Sequence, residues 1–66
     1  MELNKFIKEF EEKKDNITII YVCLKDGSTL LITEYKFSYE FVGHISIYFK
    51  GYYIGHIPLK SIKRLV

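Results

Sequence analysis

The chain has 66 residues, 48% of them hydrophobic and 17% aromatic, with ten basic and eight acidic side chains and a single cysteine. That composition excludes a disordered chain, and one cysteine excludes the intrachain disulfides that staple small secreted scaffolds. A chain this short buries only about 60% of its unfolded surface, so one domain with a small core is expected, with oligomerisation as the usual added source of stability.

No apolar run is long enough to span a membrane, and the charged first residues hold no signal-like stretch. A cytoplasmic protein with no membrane partner is therefore expected. The net charge of +2 is spread unevenly: residues 1–16 carry four lysines against five acids, and residues 17–66 carry six basic residues against three acids. Lys60, Lys63 and Arg64 gather near the C-terminus. Such a patch attracts phosphate, and it equally serves as a solvated sheet edge that resists aggregation.

In residues 2–14, Leu3, Phe6, Ile7 and Phe10 fall at i, i+3, i+4 and i+7, which predicts a helix with one apolar stripe. Glu9 and Lys13 stand at the favourable i,i+4 spacing, and lysines occupy the last turn. Asp15-Asn16 is the expected stop. A helix of this length is not stable alone in water, so its stripe must lie on the rest of the chain.

Residues 17–24, ITIIYVCL, are nearly all β-branched or aromatic and predict a first strand. Lys25-Asp26-Gly27-Ser28 is a hairpin turn, with Asp-Gly supplying positive φ. Residues 29–37 predict one second strand of period two, with Leu31, Thr33, Tyr35 and Phe37 on one face and Leu30, Ile32, Glu34 and Lys36 on the other. A bend or break is expected between Ser38 and Gly43.

Residues 44–50 and 52–58 predict a third and fourth strand around Lys50-Gly51. A two-residue loop there pairs Phe49 with Tyr52, Ile47 with Ile54 and Ile45 with His56 as the core face, and Tyr48 with Tyr53 on the other. Beyond Gly55 the apolar parity switches to Ile57 and Leu59, which a bulge or sharp bend at Gly55 explains. Leu59-Lys60-Ser61 reads as a tight turn, and residues 62–66 as a brief last strand. The expected architecture is mainly β: a helical segment over residues 1–15 followed by a strongly bent antiparallel sheet of four or five strands over residues 17–66, in the manner of a small barrel.

This layout resembles the Sm-like family, including its bacterial Hfq-type members. The local matches are Ile17–Leu31, a strand, an Asp-Gly turn and a second strand, and His56–Leu65 at the end. A generic SH3-like barrel has a similar pattern. The resemblance implies ring assembly, with the fourth strand of one subunit pairing with the fifth of the next, and binding of single-stranded, often uridine-rich, RNA. Where the family carries Tyr-Lys-His this chain has Ile54-Gly55-His56, so His56 alone is carried over, and the chain has no glutamine to match the family's helix residue.

Catalytic and metal signatures are absent. Cys23, His44 and His56 are scattered over different strands without paired ligand spacing, and Cys23 sits in an apolar strand where a thiol behaves as a small hydrophobe. Neither catalytic residues, a metal nor a cofactor is expected. The signal lies in the aromatics: six tyrosines and five phenylalanines exceed what so small a core can bury. Exposed tyrosines beside Lys36, Lys50 and His44 suit base stacking, and they suit a protein interface as well.

The expected function is that of a non-enzymatic module that self-assembles through strand edges and binds single-stranded RNA. Lys60, Lys63 and Arg64 would meet phosphate, Tyr48, Tyr53 and His56 would stack on bases, and Tyr52, Ile57 and Leu65 would form the subunit interface. The alternative is a small inhibitor or adaptor, of the kind phages and mobile elements encode, docking on another protein through the tyrosine-rich strands.

Overall fold

The apolar stripe of the N-terminal segment makes the helix expected of it. In a computed structural model, which describes residues 1–15, 19–38 and 40–66, helix α1 runs Leu3–Lys14. Phe6 and Phe10 are buried on its stripe, and Lys13 and Lys14 close its last turn. An exposed Lys14–Glu11 ion pair of 2.9 Å spans one turn. The expected Asn16 cap, residues 17 and 18 at the start of the first strand, and Tyr39 lie outside the described residues.

Among the described residues six strands follow: β1 Ile20–Leu24, β2 Thr29–Ile32, β3 Glu34–Phe37, β4 His44–Phe49, β5 Tyr52–Pro58 and β6 Ile62–Leu65. They form two three-stranded antiparallel sheets, ordered β2-β1-β6 and β3-β4-β5, not a single sheet. A single 3₁₀ turn, Leu59–Ser61, links β5 to β6. The protein is thus mainly β with an N-terminal helix, and no described helix is long and apolar enough to cross a membrane.

One hydrophobic core lies between the sheets and under α1. It is built from Phe6 and Phe10 of the helix, Ile20 and Val22 of β1, Ile32 of β2, Ile45 and Ile47 of β4, and Leu59, Ile62 and Leu65 near the end. Tyr35 of β3 joins it from the second sheet. Its ring stands edge-on to Phe6 at 5.0 Å and to Phe10 at 4.7 Å. Edge-to-face pairs of this kind add to area burial, so the helix is fastened to both sheets.

The Asp-Gly turn forms as its residues predict. Asp26 Oδ1 accepts the Ser28 N–H at 2.8 Å and the Ser28 hydroxyl at 2.6 Å, and Gly27 takes a φ of +94°. Lys50-Gly51 closes the β4–β5 hairpin with positive φ at both residues, the requirement of a two-residue loop of this hand.

The second strand departs from expectation. It is two strands in two sheets, and the break is at Thr33, ahead of the region expected to bend. Thr33 donates its N–H to the Tyr48 carbonyl at 2.8 Å, and its hydroxyl accepts the Lys50 N–H at 2.7 Å. Those bonds take the place of a continuing ladder. The face parity therefore resets there: Ile32 is buried and Leu31 exposed before it, and Tyr35 points into the core after it.

The β4–β5 register also differs beyond its first two pairs. Phe49–Tyr52 and Tyr48–Tyr53 pair as expected, but Ile47 then pairs with Gly55 and Ile45 with Ile57. Ile54 is the extra residue of a bulge, and it is exposed instead of lying in the core. Gly55 adopts φ +148°, a conformation essentially confined to glycine.

Candidate functional site

In β4, Ile45 and Ile47 face the core, so period-two alternation sends His44, Ser46 and Tyr48 to the outer face. Register supplies their neighbours. Ser46 lies between Lys36 of β3 and His56 of β5, and Tyr48 lies between Glu34 and Tyr53. The bulge decides which face His56 occupies. Without the extra residue His56 would oppose Ile45 over the core; with it, His56 opposes Ser46 and Ile57 takes the inward place. A slip of one residue exchanges the faces of everything beyond it.

Residues 40–43, ahead of β4, fold back over this face. Ser38 Oγ accepts the Phe41 N–H at 3.2 Å, and the Phe41 carbonyl accepts the His44 N–H at 3.1 Å. The Gly43 carbonyl accepts the Leu59 N–H at 2.8 Å, which ties the segment to the 3₁₀ turn. Held this way, the Phe41 ring stacks on His56 with centroids 4.3 Å apart and planes within 6°. His44 stands 5.3 Å from His56, and its Nδ1 faces the Val42 carbonyl at 3.3 Å. A carbonyl only accepts, so that nitrogen carries the proton in this contact.

At the other end of the face, Tyr48 and Tyr53 meet edge-on at 5.6 Å. The Lys36 ammonium sits 5.1 Å from the Tyr48 ring centre, within cation–π range. Between the two groups of rings is an open cleft of about 310 Å³, lined by Phe37, Ser46, Tyr53 and His56 of the sheet and by Ser38, Glu40 and Phe41 beside it.

The expected site residues are only partly brought together. Tyr48, Tyr53 and His56 share this face. Lys63 and Arg64 are exposed on β6 in the other sheet, and Lys60 is in the 3₁₀ turn. Of the expected interface residues, Tyr52 is 79% exposed at the start of β5 and Ile57 packs against the core. Leu65 is corrected: it is 3% exposed and belongs to the core of its own chain, because β6 turns it inward beside Val22. Cys23 lies on β1 in the sheet opposite to His44 and His56, and no group of three or more potential metal ligands occurs among the described residues.

Sequence reasoning missed Phe41, Ser46 and Glu40 as members of this face. Phe41 reaches the face from a loop, where strand alternation gives no placement. The available signal was Ser38, a residue that opens hydrogen-bonded turns, together with Gly43, which takes positive φ. Comparison with family models, with curated proteins and with solved structures finds no match to this chain.

Proposed function

We propose that the chain is a non-enzymatic binding module that takes single-stranded nucleic acid, RNA above all, on the outer face of β3-β4-β5. Support comes from one observation: Phe41, His56, Tyr53 and Tyr48 form a run of rings on one face, with Lys36 beside it. Stacking platforms with a cationic margin bind unpaired bases because every base has a π-face to offer. Lys60, Lys63 and Arg64 lie off the face and serve the phosphates of a longer strand. In this reading the two sheets are the halves of an Sm-like or SH3-like barrel, which the shared corner at Thr33 and the 3₁₀ turn before β6 support.

The test is binding of short RNA and single-stranded DNA at two salt concentrations. Binding that weakens as salt rises, and weakens again in Tyr53→Ala, supports the proposal. No binding at low salt, or binding without a salt slope, sinks it.

A second reading rests on a different feature. Tyr52, Tyr53 and Ile54 are consecutive and exposed on β5, which is the terminal strand of its sheet. Large amphipathic side chains on an open edge suit a protein partner or a second copy of the chain. The mass of the native particle separates these occupants: a ring of subunits favours edge-to-edge assembly, and a monomer leaves the edge to another protein.

A further inference from the structure

The cleft between the rings is not uniformly aromatic. Glu40 lines it together with Ser46, Tyr53 and His56. A carboxylate accepts hydrogen bonds and does not donate them, so it selects a planar group that offers two donors along one edge. Among the four common bases only guanine does so, through N1–H and the 2-amino group. Adenine offers a donor beside an acceptor on that edge, as does cytosine, and uracil offers one donor between two carbonyl oxygens.

The charges also set which part of a strand enters. Glu40 repels phosphate, so a nucleotide enters the cleft by its base. Lys36, on the same face over Tyr48, attracts the phosphates and holds the backbone along the adjoining rings. The Phe41–His56 stack forms part of the cleft wall, so a ring is already presented to an entering base.

We propose that this cleft is a guanine-selective subsite, with Glu40 reading the N1–H and 2-amino edge and Tyr53 and His56 flanking the base. The proposal rests on the nucleic-acid reading of the face. It adds a preference that stacking alone does not give, since stacking platforms tolerate any base.

The experiment measures the affinity of end-labelled RNA heptamers, AAAXAAA with X as G, A, C, U or inosine, at low salt. Expected is about tenfold tighter binding for X = G than for X = A, the size of discrimination a bidentate contact to a base edge gives. Inosine, which lacks the 2-amino group, falls between them, and Glu40→Gln removes the preference. Equal affinity for all five heptamers overturns the guanine subsite and leaves the face as a general platform. A preference that survives Glu40→Gln and persists with inosine overturns the role of Glu40. No binding of any heptamer overturns the nucleic-acid reading itself, and the subsite with it.

Discussion

The backbone N–H of Leu65 donates to Oε1 of Glu9 at 3.2 Å. Leu65 and its neighbour Val66 use opposite sides of the strand: the Val66 N–H goes to Tyr21 of β1, and the Leu65 N–H goes to the helix. β6 ends its sheet in the order β2-β1-β6, so this donor would otherwise be open to another chain. A helix side chain thus covers part of a sheet edge, one of the ways proteins keep edges from pairing indiscriminately.

Glu9→Ala should therefore act in two ways. Losing a partner for a partly buried donor costs about 1–2 kcal/mol, read as a lower urea midpoint. The exposed edge should also raise self-association in sedimentation runs. Glu9→Gln keeps an acceptor oxygen and should restore most of the stability. Equal stability of all three proteins would show that the bond contributes nothing.

Tyr35 fastens the second sheet to α1 through Phe6 and Phe10. Tyr35→Ala should destabilise by about 2–4 kcal/mol, since a large ring is removed from an aromatic cluster. Tyr35→Phe keeps both edge contacts and should cost less than about 1 kcal/mol. Chemical denaturation followed by circular dichroism checks both, and a costly Tyr35→Phe would point to the hydroxyl in place of the ring.

Gly55 should not tolerate a side chain. A Cβ built there meets nothing within 4 Å, so the penalty of Gly55→Ala is in the backbone at φ +148° and amounts to about 1–3 kcal/mol. The more telling readout is the stack. If strain removes the bulge, His56 leaves the outer face, and the ring-current shift that Phe41 imposes on its protons should vanish. An unchanged shift and unchanged stability would refute the role given to Gly55.

The turn at Asp26 predicts a pH dependence. The Ser28 hydroxyl, and after it the Ser28 N–H, hold the Asp26 carboxyl below the usual aspartate range. A folded-state value lower than the unfolded one means a contribution fully present above about pH 4 and lost as pH falls through the folded value. Asp26→Asn should therefore be less stable than the parent near neutrality, with the difference closing in acid. A difference that stays constant from neutral pH to about pH 2 would contradict this.

Much of the framework was legible because local chemistry and tertiary context agree. The stripe of Phe6 and Phe10, the Asp-Gly turn, the Lys50-Gly51 loop and the tight turn at Leu59–Ser61 all form where the residues place them. Thr33 was not legible. Nothing there resembles a breaker, since threonine is a strand former and the run around it alternates. The strand ends because Thr33 finds partners in Tyr48 and Lys50, which are distant in sequence. The parity switch near Gly55 was visible, but which residue is extra was not. That choice gave Ile54 a core place it does not have, and set His56 over the core. The aromatic platform was visible as composition and only half visible as membership, because Phe41 reaches it from a loop.

The division of the chain between the sheets has a kinetic consequence. β3, β4 and β5 are consecutive and meet through short-range pairings, whereas β1 finds β6 only after nearly the whole remaining chain has been laid down between them. Closing a long loop is entropically slow compared with forming adjacent hairpins. The meander that carries the rings should therefore fold early, and the joining of first strand to last, with Glu9 closing over Leu65, should be the late step in stopped-flow refolding. Substitutions at Tyr48 or Ile47 should slow folding, while substitutions at Val22 or Leu65 should mainly hasten unfolding.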